Sequence, residues 1–190
     1  MRLWIAVLVL AGAVPAAAAP VAVGDVLVPF TLKGYDGNDV SLASFTGRKA
    51  VVLIFMSTEC PVSNSYNARM AGLSTEYSAK GVAFVGLNAN KQEGVAEIGR
   101  HAKEHGLSFP ILKDERNVEA DAFGAQVTPE VYVYDTSWKL RYHGRIDDSM
   151  KGDKIASPDL RNALDALLGG REVPNPETKA FGCSIKRIEK

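Results

Sequence analysis

"KAVVLIFMSTECPVSNSY", residues 49–66, changes its pattern twice within eighteen residues. Residues 49–56 form an apolar run rich in β-branched side chains, the signature of a strand buried on both faces of a sheet. From Pro61 onward the period becomes helical: Tyr66, Met70, Leu73 and Tyr77 fall at i, i+4, i+7 and i+11, on one face. Gly81 closes that helix. Proline suits the first helical position, where its missing N–H would have no partner anyway. The four residues "STEC" are therefore the turn from strand to helix, with Cys60 at or beside the N-cap.

The same alternation runs outward. Upstream, "FTLKGYDGNDVSLASF" reads as a hairpin around "DGND". Downstream, "VAFVGLNAN" is a second buried strand, followed by a helix with Val95, Ile98 and Ala102 on its stripe that ends at Gly106. A short strand "FPILKD" and a short helix "RNVEADAFG" come next. "EVYVYD" and "KLRYHGRID" form a strand pair turning at Thr136 to Trp138. The last helix takes Ser157 as N-cap and Pro158 as its first residue, buries Leu160, Ala163, Leu164, Leu167 and Leu168, and stops before Gly169 and Gly170. Strands alternating with helices predict an α/β fold with a mostly parallel sheet covered on both faces. The final strand pair predicts an antiparallel edge. Residues 171–190 carry no period; an irregular tail is expected over the domain, anchored by Phe181 and Ile185.

At the other end, Arg2, the run "LWIAVLVLAGAV" and the small-residue stretch "PAAAAP" make up a signal peptide, residues 1–19, cut near Ala18 or Ala19. The run is short for a membrane span of about 20 residues, and no cysteine stands by for a lipid anchor. A periplasmic or secreted destination, permissive for disulfides, follows. The formal charge is +0, with 22 basic and 22 acidic residues, which gives no footprint for nucleic acid or an anionic membrane. Two cysteines, Cys60 and Cys183, are too few for a disulfide-scaffolded fold.

A sulfur at an N-cap faces free N–H groups, here those of Val62 and Ser63, and the positive end of the helix dipole. Such a thiol ionises below its ordinary value of about 8.5, and the thiolate is the nucleophile. The turn also sits at the carboxyl end of a strand, where open α/β sheets bind ligands. The hydroxyls of Ser57, Thr58 and Ser63 are candidate donors to the thiolate, and Arg145 is the candidate cation. Glu59 would oppose ionisation if it lies close. The bland alternative for Cys60 is a small buried hydrophobe.

"STECPVSNSY", the hairpin-to-strand stretch before it and "VTPEVYVYD" about 70 residues later together resemble the alkyl hydroperoxide reductase/thiol-specific antioxidant branch of the thioredoxin-fold redoxins. The resemblance covers roughly residues 22–168. It implies a three-layer thioredoxin-like domain over 20–170 with an N-terminal β-hairpin, a tail (171–190) carrying Cys183, and thiol-dependent oxidoreductase chemistry at Cys60. It also implies a cis peptide between Thr128 and Pro129 beside that cysteine, a supporting role for Ser57, and a peroxide-polarising role for Arg145. Departures are informative. Ser63 stands where thioredoxins have their second cysteine, which excludes the usual dithiol reductase. Leu53 and Ile54 replace the peroxiredoxin proline and the buried thioredoxin acid. No cofactor is implied.

Cys183, between Gly182 and Ser184, is the expected resolving thiol: Cys60 would be oxidised to a sulfenic acid and condense with it, and an external thiol or thioredoxin-like reductant would reset the pair. A static disulfide or two separate thiols are the alternatives. The substrate is a peroxide or a disulfide. Functions of other classes are a non-catalytic binding domain and a copper chaperone using Cys60, Met56, Met70 and His143. His101 and His105 have i, i+4 metal-ligand spacing but no third ligand.

Overall fold

The computed structural model describes residues 20–189; the expected signal peptide lies outside the described residues. The elements are β1 (Thr31–Gly34), β2 (Asp39–Ser41), β3 (Ala50–Phe55), α1 (Pro61–Ser65), α2 (Asn67–Ser78), β4 (Val82–Asn88), α3 (Val95–Glu104), β5 (Ile111–Lys113), α4 (Val118–Phe123), β6 (Val127–Thr128), β7 (Glu130–Asp135), β8 (Leu140–Gly144), α5 (Asp159–Leu168) and β9 (Cys183–Ser184). Seven strands form one sheet in the order β2-β1-β5-β4-β3-β7-β8. β3, β4 and β5 are parallel. β7 and β8 add an antiparallel edge, and the β1–β2 hairpin joins antiparallel to β5 at the other.

The unbroken apolar run of β3 serves two cores, because side chains alternate across a sheet. Ala50, Val52 and Ile54 face Tyr66, Met70, Leu73 and Tyr77, Ile98 and Ala102 of α3, and Leu160, Ala163 and Leu164 of α5. Val51, Leu53 and Phe55 face Ala120 and Phe123 of α4, together with Leu42, Tyr132 and Ile185. Helices do lie on both faces, but the three longer ones share one face.

Three local expectations need correction. The helix that begins at Pro61 comes in two pieces, α1 and α2, joined at Tyr66. The last helix begins at Asp159 with Pro158 as its cap, because Ser157 is committed elsewhere: its amide donates to Asp148 (2.9 Å) and its hydroxyl to Asp159 (2.7 Å). The tail is not wholly irregular. Cys183 and Ser184 pair with Thr128 and Val127 as an antiparallel two-strand ladder.

Backbone bonds continue that docking. The Ile185 N–H donates to the Gln126 carbonyl at 3.0 Å and the Lys91 N–H to the Lys186 carbonyl at 2.8 Å. Side-chain oxygens of Asn90 and Asn117 accept the N–H groups of Lys186 and Ile188, each at 2.8 Å. Phe181 meets Tyr66 edge-on at 6.3 Å, and Ile185 enters the second core, so both expected anchors are used.

Phe123 is the hub of that core, with edge-on contacts to Phe55 at 5.6 Å, Tyr132 at 5.0 Å, Tyr134 at 6.3 Å and Phe30 at 6.1 Å. Phe123→Ala should cost about 3–5 kcal/mol, read as a lower urea midpoint at unchanged slope. A loss below about 1 kcal/mol would contradict the hub role.

Candidate active site

β3 ends at Phe55, and residues 57–60 turn the chain into α1 with Cys60 as N-cap. The sulfur accepts the Ser63 N–H at 3.3 Å. The thiol in turn donates to the Thr128 carbonyl at 3.3 Å, on the near side of a cis Thr128–Pro129 bond. Cys60 is only 4% exposed. It is a capping residue and also largely buried, because the tail lies across the edge it faces.

Cys183 sits opposite Thr128 in the β6–β9 pair, and the Thr128 carbonyl accepts the Cys60 thiol, so the two cysteines meet at one residue. Both cysteines are free thiols. Burial works against ionising Cys60, yet hydrogen bonds from the Cys183 thiol, the Ser63 N–H, the Thr128 side chain and the Cys183 N–H outweigh it. The Cys60 thiol therefore lies below the ordinary value. Cys183 moves the opposite way: burial and its hydrogen bond to Cys60 push it up. Cys60 is thus the sulfur that ionises first.

The other expected residues arrive in different roles. The Ser57 hydroxyl gives its proton to Glu93 Oε1 at 2.5 Å and accepts the N–H groups of Cys60 (3.0 Å) and Glu59 (3.2 Å). The Thr58 hydroxyl donates to Glu97. The Ser63 hydroxyl accepts the Ser57 N–H at 3.2 Å, so Ser63 serves the sulfur through its backbone. Glu59 turns to Gln92 at 2.9 Å. Arg145 is paired with Asp159 at 2.6 Å. That bond through Nε ties the expected cation to the start of α5.

Two buried carboxylates escaped the sequence reading. Glu93 holds the Ser57–Thr58 turn. Glu130, directly after Pro129, accepts the N–H groups of Gln126 (2.8 Å) and Val127 (3.1 Å), the Tyr132 hydroxyl (3.0 Å) and His143 Nε2 (2.7 Å). Burial raises the Glu130 carboxyl, but the His143 bond and those two N–H groups outweigh it and hold it below the usual range. Glu130 thereby fixes the strand edge that the tail uses. Polar residues at the end of β4, in "NANKQE", were the available signal for Glu93, since β4 pairs with β3 beside the cysteine turn.

His143 and His101, one from each of the metal alternatives, are both bonded through Nε2 to a neighbouring side chain. His143 gives Nε2 to Glu130 and stacks on Tyr132 at 4.3 Å. His101 and His105 lie 4.4 Å apart, ring to ring, but His101 Nε2 is bonded to Asn67. Among the described residues no group of three or more His, Cys, Asp and Glu could hold a metal ion.

Residues 23–143 match the family model described as AhpC/TSA family. The chain belongs to the AhpC/TSA family. It is 32% identical over 123 residues to the thiol-disulfide oxidoreductase ResA of Halalkalibacterium halodurans, covering 65% of each chain. It is also 31% identical over 124 residues to the chloroplastic peroxiredoxin Q of Sedum lineare, covering 62% of this chain and 65% of that one. The chain thus matches somewhat less than two thirds of the length of these relatives. Among solved structures, an uncharacterized conserved protein from Geobacillus kaustophilus is 35% identical, with a TM-score of 0.84 over 89% of this chain and 94% of that one. The fold is thioredoxin-like, and Cys60 lies just past the end of β3, bonded to the residue before the cis Thr128–Pro129 peptide.

Gly182 tests the apposition. A β-carbon there would lie 2.0 Å from the Thr128 carbonyl oxygen, so Gly182→Ala should lift β9 from its edge and leave the domain folded. Oxidation of the variant should form the 60–183 disulfide at least tenfold more slowly than wild type. An unchanged rate would mean that the strand pairing does not govern how the sulfurs meet.

Proposed function

We propose that this AhpC/TSA protein is an exported thiol-dependent oxidoreductase whose redox centre is the Cys60/Cys183 pair. The observation that carries the proposal is the meeting of the two cysteines at Thr128, whose carbonyl accepts the Cys60 thiol and which pairs with Cys183 in the β6–β9 ladder. A second cysteine is missing from α1, where Ser63 stands, and the tail supplies one to the same sulfur.

In the cycle, the Cys60 thiolate attacks the outer oxygen of a peroxide. The O–O bond breaks, Cys60 takes the hydroxyl and becomes a sulfenic acid, and the alkoxide or hydroxide leaves and takes a proton from solvent to give alcohol or water. The Cys183 sulfur then displaces hydroxide from that acid, giving a disulfide and water. An external dithiol returns two electrons by exchange and is itself oxidised. The deep position of Cys60 favours a small oxidant there. The more exposed Cys183 is the sulfur an outside reductant can reach, and Cys60, with the lower pKa, is then the better leaving group.

Thiol–disulfide exchange without peroxide is the second reading. Two observations favour it: the Ser57 hydroxyl donates to Glu93 rather than toward the sulfur, and Arg145 is drawn to Asp159 at the start of α5. The relatives divide the same way, one named a thiol-disulfide oxidoreductase and one a peroxiredoxin. Residues 1–19 are taken as the export signal under both readings.

Stopped-flow mixing of the reduced protein with hydrogen peroxide, then mass mapping, separates the readings. Under the peroxidase reading wild type yields a 60–183 disulfide, Cys183→Ser accumulates a sulfenic acid on Cys60, and Cys60→Ser consumes no peroxide. If peroxide is inert and a small disulfide oxidises the pair, exchange is the function. Alkylation of Cys60 in Cys183→Ser should follow a titration with its midpoint below about 8.5, since the anion is the reactive form and hydrogen bonds favour it. A midpoint at or above that value contradicts an activated nucleophile.

A further inference from the structure

Glu93 has no place in the proposed cycle, yet it is 1% exposed and takes three donors from two elements. The Ser57 hydroxyl reaches Oε1 at 2.5 Å. The Thr58 N–H reaches Oε2 at 2.7 Å and the Asn88 side-chain amide reaches it at 2.5 Å. A buried carboxylate costs several kcal/mol in desolvation unless such bonds satisfy it. Ser57 then passes the constraint on: with its proton committed to Glu93, its oxygen is left as an acceptor for the N–H groups of Glu59 and Cys60. That pair of bonds sets the backbone of the cysteine turn, and with it the alignment of the Cys60 sulfur on the Ser63 N–H.

The other end of the network reaches the tail. Asn88 Oδ1 accepts Lys113 Nζ at 3.3 Å, and Lys113 also donates to the Asn90 carbonyl at 2.5 Å. Asn90 Oδ1 takes the N–H of Lys186, three residues beyond Cys183. The charged groups around Glu93 are Lys113 from β5, Glu97 on α3 through its bond to Thr58, and His101 farther along α3.

We infer that Glu93 is a positioning residue for Cys60: it orients the Ser57 hydroxyl, which fixes the Cys60 backbone so that the Ser63 N–H stays on the sulfur. The inference rests on the proposed role of Cys60 as nucleophile, and it places the acid outside direct contact with the reacting atoms. Two physical roles for Glu93 give opposite signs. As a nearby negative charge it would oppose the thiolate, so neutralising it would lower the thiol midpoint. As the anchor of the turn it supports the thiolate indirectly, so removing its acceptor oxygens raises the midpoint.

The experiment is iodoacetamide alkylation of Cys60 against pH in full-length protein carrying Cys183→Ser, so that one thiol is read. Glu93→Gln preserves shape but puts an N–H₂ where two acceptor oxygens are needed. Its midpoint should rise by about one unit, a roughly tenfold slower reaction at neutral pH for the same thiolate reactivity. Ser57→Ala, which cuts the same chain one step nearer the sulfur, should give a similar rise. The double variant should match Ser57→Ala alone, as expected of residues acting through one another. Circular dichroism checks that each variant is folded, and a misfolded Glu93→Gln leaves Ser57→Ala to decide. A fall in midpoint, no shift, or additive effects in the double variant overturns the positioning role, as does a loss of stability with an unmoved midpoint. A control midpoint, with Glu93 and Ser57 intact, at the ordinary thiol value instead sinks the nucleophile and this inference together. A lowered control midpoint that Glu93→Gln leaves untouched removes Glu93 alone.

Discussion

A ladder of two residue pairs, Val127–Thr128 against Cys183–Ser184, is the constraint on which the site depends. It brings together sulfurs that are 123 residues apart in the chain (60 and 183). Nothing local in the chain holds Cys183 there. Fixing each tail residue costs about 1–2 kcal/mol of backbone entropy, so docking has to be offset along the tail's length. Phe181 on Tyr66, Ile185 in the second core, and the Asn90 and Asn117 side chains that receive Lys186 and Ile188 provide that offset. Gly182 permits it, since any β-carbon there would collide with the Thr128 carbonyl.

The edge that receives the tail is itself held from behind. Glu130 binds the N–H groups of Gln126 and Val127 on one side and Tyr132 and His143 on the other. Thr128 then uses its carbonyl toward the Cys60 thiol, and the neighbouring strand presents Cys183. Two buried carboxylates thus frame the sulfur from opposite sides, Glu130 through the cis-proline strand and Glu93 through the cysteine turn. The outcome is chemical asymmetry. Cys60 collects donors and is lowered, while Cys183 becomes one of those donors and is raised. In the proposed cycle that asymmetry assigns attack to one sulfur and resolution to the other.

What could be read in the sequence followed local periodicity. The β3 run, the capping position of Cys60 before Pro61 and the order of strands and helices all rest on neighbours in the chain, and the structure reproduces them. Ser57, Thr58 and Arg145 were legible as polar residues in the right region, but their partners were not. Those partners, Glu93, Glu97 and Asp159, come from other elements and take the proton or charge first. The β9 strand was hidden for a related reason: a two-residue segment has no period, and its pairing is set by an edge more than fifty residues away. Likewise the start of α5 moved by one residue because Asp148 claimed the Ser157 amide.

Hydrogen exchange at the Ile185 amide in the fully reduced protein tests the apposition most directly. That N–H donates to the Gln126 carbonyl only while the tail strand is docked. Protection comparable to the amides of β7 is expected, present before any disulfide exists. Exchange at the rate of an unstructured chain would mean that the two thiols are not held together, and the paired redox centre would have no structural basis.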